Sequence, residues 1–288
     1  MTILQIENLC KRYPTFYLDH VSFTLETGYI MGFIGSNGAG KTTTLKSMIN
    51  LVQKDSGVVR ILGKDFSQNE IALKQDLGIM FGGVDYYSKH KLGQITQVVR
   101  RFYSNWDQAI YEFYLRRFSL DENKRVDELS NGMRVKYSLA LALSHQARLF
   151  LLDEPTSGLD PVARDDILEV FQELIEDGSR SILFSTHITS DLEKCADYIT
   201  YIENGQIIES QSMDDLIAAY KIVKGRKDQL PSIESQLVGY KENAFGFSGL
   251  VKTADLNTTE SLLVETVTLE EIMIYYHRKS ITNEKPAL

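Results

Sequence analysis

Short apolar runs alternate with amphipathic stretches along the chain, and this order predicts strands alternating with helices. The segments YIMGFI, LFLLD and SILFS are almost wholly apolar, which is typical of strands buried on both faces of a parallel sheet. Helical patterning follows each of them, from Lys41 to about Leu51, from PVARDDIL onward, and from about Thr189. The alternation therefore predicts an α/β fold with a doubly wound parallel sheet.

Three regions depart from this alternation. The first 35 residues contain short β-rich stretches, ILQIENL and VSFTL, and residues from about 84 to 147 are mostly helical, as an inserted subdomain would be. Residues 221–232, KIVKGRKDQLPS, are polar and contain glycine and proline, so they predict a linker. We expect a main domain at 1–220 and a small α+β accessory region at 233–288.

Composition narrows the class of protein. The 288 residues are 43% hydrophobic with a formal net charge of -8, which disfavours a broad basic surface for nucleic acid. Cys10 and Cys195 form neither a disulfide framework nor a zinc pattern, so we expect reduced core thiols in a cytoplasmic protein.

The start of the chain, MTILQIENLCKRY, has polar residues where an export signal is apolar. No apolar run reaches the roughly 18 residues of a membrane helix, so another chain would supply any span.

A glycine-rich stretch, GSNGAGKTT at 35–43, lies between an apolar strand and a helix. It fits the P-loop (Walker A) pattern, whose glycines let backbone amides and the following helix N-terminus bind phosphates. Lys41 would reach the β- and γ-phosphates of ATP. The motif alone indicates a P-loop NTPase. The predicted nucleotide contacts are Gly35, Ser36, Asn37, Gly38, Ala39, Gly40, Lys41, Thr42 and Thr43.

Two adjacent acids end the buried strand LFLLD, although burying an unpaired carboxylate is costly. Beside a P-loop their roles separate. Asp153 would hold Mg²⁺ together with the Thr42 hydroxyl, and Glu154 would orient or deprotonate the water that attacks the γ-phosphate. The alternative is a pair of solvent-facing acids at the end of a strand.

Further motifs complete an ordered set: Tyr13 in CKRY, ELSNGM (128–133), SGLD (157–160) and STH (185–187). In this order, with the P-loop and LFLLDEP, the chain resembles the nucleotide-binding domains of ABC transporters over about residues 2–220. The resemblance implies a RecA-like parallel sheet core with an antiparallel β subdomain and an inserted α-helical subdomain.

The resemblance also implies roles for single residues in one chain. Tyr13 stacks on adenine. His187 touches the γ-phosphate and helps to hold the attacking water, so that Glu154, His187 and Lys41 are the catalytic residues.

Three other residues would act across a dimer. Ser130 and Gly132 would grip the γ-phosphate of ATP bound to the opposite subunit, so that two chains enclose two nucleotides, and Asp160 would cross the dimer seam. Plain helix capping is the alternative for both Ser130 and Asp160.

The sequence departs from the family pattern in two places. LSNGM replaces LSGGQ but keeps Ser130 and Gly132. Where the family places a glutamine that contacts Mg²⁺, this chain has GIMFGGVDYY, and the aligned residue is Gly82. We hypothesise that Asp85, or backbone and water, takes that role.

The resemblance implies an ATPase, converting ATP and water to ADP and phosphate, that binds a second such subunit and drives separate transmembrane permease chains from the cytoplasmic face of the membrane. The partner is an identical or a similar chain, and no nucleic acid takes part. PVARDDIL and the short C-terminal extension are similar to ABC-2-type bacterial exporters. GGVDYY, NGMRVKYSLALALSH and VTLEEIMIYY resemble exporters of phenol-soluble modulins and antimicrobial peptides.

Other functions remain open at this point. The alternatives are a soluble ABC ATPase acting on nucleic acid or the ribosome, and a degenerate cassette that binds ATP without turnover. Much of the aromatic run in the helical insert is expected to be core, and the resemblance implies that part of this face receives a short helix of the membrane subunit. The C-terminal region would brace the dimer, with a regulatory piece or an extra packing layer as the alternatives.

Overall fold

A computed structural model describes residues 1–81, 87–256 and 262–283, with the backbone alone for 278–283. The chain divides into two compact units, Met1–Ser210 and Gln211–Leu288. Up to the end of β10, the elements in chain order are β1 (Thr2–Arg12), β2 (Tyr17–Glu26), β3 (Ile30–Ile34), α1 (Lys41–Met48), β4 (Ser56–Ile61), β5 (Lys64–Asp65), α2 (Phe66–Lys74), β6 (Leu77–Phe81), α3 (Leu92–Val99), α4 (Gln108–Arg117), α5 (Asn131–Leu143), β7 (Leu149–Asp153), α6 (Pro161–Ile175), β8 (Ser181–Thr186), α7 (Thr189–Cys195), β9 (Tyr198–Glu203) and β10 (Gln206–Ser212).

The main sheet of the first unit has the strand order β10-β9-β3-β8-β7-β6. From β9 to β6 the neighbouring strands are parallel, as the apolar runs predict. Every residue of β3 is buried, because helices cover both faces of such a sheet. The carboxyl ends of β3, β7 and β8 lie side by side, so the polar residues that follow these strands converge. The predicted α/β fold is confirmed.

Two smaller parts of the first unit also match the predicted fold class. Strands β2, β1, β4 and β5 form an antiparallel sheet in that order. Helices α3, α4 and α5 form the helical insert, around the buried hydroxyl groups of Thr96, Tyr111 and Tyr137. Both cysteines are free and buried, as predicted. Among the described residues no helix has the length and apolar character needed to cross a membrane.

The second unit contains α8 (Met213–Ala218), β11 (Tyr220–Gly225), α9 (Leu230–Ile233), β12 (Leu237–Glu242), β13 (Phe247–Lys252), β14 (Leu263–Glu265) and α10 (Leu269–Asn283). Its sheet has the order β12-β13-β11-β14 and is antiparallel. The segment 221–232, predicted to be a linker, instead contains most of β11 and most of α9. Ile222 and Val223 are buried because their strand pairs with residues that come some 25 to 40 positions later.

Candidate nucleotide-binding site

The loop between β3 and α1 has the conformation that its glycines permit. Gly38 and Gly40 have φ values of 85° and 114°, which residues with a side chain rarely adopt. A Cβ at Gly35 would lie 2.2 Å from the Ile202 carbonyl oxygen. No side chain caps the first turn of α1, which begins at Lys41. This leaves the start of the helix available to an anion, as the P-loop pattern requires.

Lys41 extends across the loop rather than into solvent. Its Nζ donates to the carbonyl oxygens of Gly35 at 2.8 Å and Ser36 at 3.3 Å, and the side chain is 6% exposed. The same Nζ lies 3.5 Å from Oε1 of Glu154. The lysine charge therefore stands between the loop and the acid predicted to be catalytic.

Asp153 ends β7 and faces the P-loop. Its Oδ2 accepts from the Thr42 hydroxyl at 2.8 Å, and its Oδ1 accepts from the Ser185 hydroxyl at 2.6 Å. Hydroxyl and carboxylate oxygens are ligands that suit Mg²⁺. The structure thus brings the two predicted metal ligands, Thr42 and Asp153, into direct contact.

Glu154 turns away from Asp153 because of its backbone. Its φ is 52°, in the left-handed region that is uncommon for residues other than glycine. Its N–H donates toward the hydroxyl and carbonyl oxygens of Ser185, at 3.0 and 3.1 Å. The side chain then meets His187, with 2.8 Å between Oε2 and Nδ1. A continuous chain of contacts, Lys41–Glu154–His187, results.

A cleft of 890 Å³ opens over these groups. A volume of this size fits a ligand with the bulk of a nucleotide. Tyr13, 39% exposed, stands at its edge with the Lys11 ammonium 5.5 Å from the ring centroid. The predicted residues that line it are Tyr13, Asn37, Gly38, Gly40, Lys41, Thr42, Thr43, Glu154 and His187, and the residues not predicted are Pro14, Thr15, Phe16 and Ser157.

Three predicted nucleotide contacts within the loop face the protein instead of the cleft. Ala39 is buried, and the Ser36 hydroxyl donates to the Glu203 carboxylate at 3.1 Å. Gly35 packs against Ile202. These three residues shape the loop and do not line the space above it.

Ser130, Gly132 and Asp160 do not line this cleft. The Ser130 hydroxyl accepts from the Met133 amide at 3.2 Å and caps α5. Asp160 caps α6 in the same way, and the hydrogen bond from the Ala163 amide is the main cause that holds the pKa of its carboxyl below the usual value. A Cβ at Gly132 would lie 3.7 Å from the side chain of Ala163, so the starts of α5 and α6 adjoin.

Ser185, beneath the cleft, was also not predicted. Ser185 bridges the two acids, through its hydroxyl to Asp153 and through both its oxygens to the Glu154 amide. The contact follows from the register of β7 and β8, in which Asp153 pairs with Ser185. Gly82 and Asp85, where the magnesium-contacting residue was sought, lie outside the described residues.

Comparisons with known proteins agree with this geometry. The sequence profile of the family described as "ABC transporter" matches residues 18–157. The ABC transporter ATP-binding protein YtrB of Bacillus subtilis is 32% identical over 203 residues, 70% of this chain and 69% of its own length. NatA of the same organism is 34% identical over 222 residues, 71% of this chain and 90% of its own.

Two more distant proteins extend the comparison. The bacitracin transport ATP-binding protein BcrA of Enterococcus faecalis is 29% identical over 217 residues, 74% of this chain and 70% of its own length. A solved ATP-binding subunit of an ABC transporter superposes with a TM-score of 0.68 at 27% identity and covers 75% of this chain and 92% of that one. The predicted resemblance is confirmed: the chain belongs to the ATP-binding subunits of ABC transporters, which bind nucleotide and are ATPases coupled to transport.

Proposed function

We propose that the chain hydrolyses ATP with Mg²⁺ at the cleft above the P-loop, and that Lys41, Glu154 and His187 carry the reaction. The contact chain through these three side chains is the observation that supports the proposal most strongly. It fixes the carboxylate of Glu154 between a cation and an imidazole at the mouth of the cleft. A carboxylate held in this way is placed to take a proton from a water molecule.

The remaining groups bind and orient. Thr42 and Asp153 would hold Mg²⁺, which supplies charge neutralisation for the phosphates when it is bound. Lys41 would exchange its contacts with the carbonyl oxygens of Gly35 and Ser36 for phosphate oxygens of the nucleotide. Tyr13, half exposed at the edge of the cleft, would stack on the adenine ring.

We propose that two chains act together. Ser130, Gly132 and Asp160 lie at the starts of α5 and α6 and do not line the cleft of their own chain. Ser130 and Gly132 would meet the γ-phosphate bound by a second chain, and Asp160 would cross the dimer seam. The helix start at Ser130 suits an anion. Capping by Ser130 and Asp160 is compatible with this role, because each residue positions the amides of its helix.

The Glu154→Gln chain tests the proposal. Removing the base should slow turnover by at least about a hundredfold while leaving the phosphate contacts in place. With ATP and Mg²⁺, this variant should double in mass in light scattering. Glu193→Gln, an exposed glutamate on α7, is the control and should behave as the parent. Turnover at the parental rate in Glu154→Gln would exclude Glu154 as the base.

We propose that a groove on the helical insert receives a short helix of a separate permease chain. The groove encloses 230 Å³ and is lined by Tyr87, His90, Gln94, Ile95, Val98, Val99 and Phe102. Val98 and Phe102 are 53% and 71% exposed, and an apolar patch of this kind is typical of an interaction site. Val98→Asp should weaken co-purification with the permease and spare ATP turnover by the chain alone. Ile71→Asp, which is on α2 and 87% exposed, is the control.

The proposed direction of transport is export from a bacterial cell, with the chain attached to the cytoplasmic face of the membrane by its permease. Amphipathic or antimicrobial peptides are the proposed cargo, supported by the likeness to BcrA, which by its name serves bacitracin transport. Cells that carry Glu154→Gln should become sensitive to such peptides, or retain them, while cells with Glu193→Gln should not. The soluble alternative has no support in these relatives.

A further inference from the structure

An ion pair between α6 and α7 contains a buried carboxylate, and its charged atoms lie beyond hydrogen-bond distance. Arg164 Nε lies 3.7 Å from Asp191 Oδ1, and the Arg164 and Asp191 side chains are 28% and 1% exposed. Among the described residues, neither Arg164 Nε nor Asp191 Oδ2 has a hydrogen-bond partner. A buried carboxylate is costly unless it is paired and hydrogen-bonded. The open gap therefore calls for an explanation.

Holding the two helices together does not explain the pair. A second ion pair already joins them, from Lys194 Nζ on α7 to Asp165 Oδ1 on α6 at 2.6 Å, and both side chains are 55% exposed. Gln172 on α6 also donates to the Lys194 carbonyl oxygen at 3.0 Å. The exposed pair is within hydrogen-bond distance, whereas the pair that contains the buried Asp191 carboxylate is not.

The position of the open pair connects two parts of the site. Arg164 is one turn into α6, and its amide donates to the Asp160 carbonyl oxygen at 3.0 Å. Asp191 follows His187 by four residues, and His187 contacts Glu154. The pair thus joins the start of α6 to the segment that carries the histidine.

The connection between β7 and α6 contains another unsatisfied group. Thr156 is fully buried, and its hydroxyl has no hydrogen-bond partner among the described residues. Unsatisfied buried polar atoms are rare in folded proteins. Such atoms lie on both sides of the start of α6. In another arrangement this segment would gain hydrogen bonds.

We propose that Arg164 and Asp191 are positioning residues that make the placement of His187 depend on the start of α6. This inference rests on the proposed dimer, in which the second chain meets α6 near Asp160. Closing the gap between Arg164 Nε and Asp191 Oδ1 to hydrogen-bond distance, by roughly 0.5–1 Å, would give Arg164 Nε an acceptor and hold α7 in place. The second chain would then fix α7, and with it the contact of 2.8 Å that His187 makes with Glu154 in the single chain.

Steady-state turnover by the purified chain tests the inference. Arg164→Gln and Asp191→Asn should each lower kcat by about tenfold and leave the KM for ATP within about twofold. The double variant should lose no more than the worse single variant, because the two residues act as one unit. Arg164→Lys keeps the charge and should recover part of the loss. Asp165→Asn and Lys194→Gln, which open the exposed pair, are matched controls and should keep kcat.

Dimer formation with ATP is measured separately from turnover. Placed in the Glu154→Gln chain, Arg164→Gln should weaken the ATP-dependent doubling of mass far less than it lowers kcat, because the nucleotide contacts that hold the dimer remain. Asp191 is fully enclosed, so Arg164→Gln carries the test if Asp191→Asn does not fold.

Three results would overturn the inference: an unchanged kcat in Arg164→Gln, a loss of dimer that matches the loss of kcat, or multiplicative effects in the double variant. A Glu154→Gln chain that stays single with ATP would contradict the proposed dimer itself, and the inference would fall with it.

Discussion

At the scale of single residues, Ser185 directs the neighbouring acids Asp153 and Glu154 toward different partners. Ser185 donates its hydroxyl hydrogen to Asp153, and its oxygens receive the Glu154 amide. These bonds help to hold the Glu154 backbone at its positive φ of 52°. The adjacent carboxylates, which sequence alone predicts to have different roles, obtain different directions from a residue on another strand.

Ser185→Ala should therefore impair catalysis more than folding. We expect a loss of roughly 1–2 kcal/mol in the free energy of unfolding and a fall in kcat of about tenfold or more. Ser181→Ala is the matched control, because Ser181 is also buried on β8 and makes two hydrogen bonds, but at the opposite end of the strand. Urea denaturation and steady-state turnover measure the two effects. Equal kcat in the two variants would contradict the role given to Ser185.

His145 should make stability depend on pH. Its ring is 1% exposed, with Nε2 at 2.9 Å from the Leu77 carbonyl oxygen and Nδ1 at 3.3 Å from that of Leu141. Burial lowers the pKa of this imidazole below its usual value. Below about pH 6.5 the unfolded chain binds a proton that the folded chain does not, so stability falls as the pH falls.

The cost is at most about 1.4 kcal/mol per pH unit until the folded-state pKa is reached. Urea denaturation of the parent and of His145→Gln between pH 5 and 8 isolates it, because the other histidines contribute equally to both chains. A difference that does not change with pH would show that burial leaves this pKa where it was.

At the scale of elements, the sequence predicts structure well where the determinants are local. The glycine spacing of GSNGAGKTT and the apolar runs before it are enough for β3, the loop and α1. Strand β11 was missed because KIVKG is short and polar at its ends, and its burial comes from β13 and β14 far along the chain. Ser185 was missed for the same reason, since its contacts come from the register of two strands.

The helical insert should be held by a buried network of hydroxyl groups. Tyr137 donates to the Leu92 carbonyl oxygen at 2.8 Å, and its oxygen lies 2.9 Å from the Thr96 hydroxyl, which also meets Tyr111. Tyr137→Phe should cost about 1–3 kcal/mol, because the buried groups lose a partner. Hydrogen exchange should rise across α3 and α5 and stay low in β3 and β8.

Tyr114→Phe is the control for that network. Tyr114 lies on α4 and is half-buried, and in the described part of the chain its hydroxyl makes no hydrogen bond. We expect less than about 0.5 kcal/mol of change. A Tyr137→Phe chain as stable as Tyr114→Phe would mean that the network does not hold the insert.

At the scale of the whole molecule, the structure places the end of the first unit at Ser210, ten residues before the predicted end of the ATPase domain at 220. The difference matters for β11, whose residues Ile222 and Val223 are buried within the second unit. A chain cut on the predicted linker would keep this strand and remove both strands that pair with it. An apolar strand with two unpaired edges is an aggregation hazard.

Two truncations distinguish the boundaries. A chain ending at Ser212 keeps β10 whole, and we expect it to remain soluble, to melt cooperatively and to bind ATP, because every residue that lines the cleft is in the first unit. A chain ending at Gly225 should precipitate during purification. We propose that the second unit braces the dimer, so the 1–212 chain with Glu154→Gln should show less doubling of mass with ATP than the full-length variant. Equal dimer in both chains would remove that role from the second unit, and a well-behaved 1–225 chain would show that β11 does not need its neighbours.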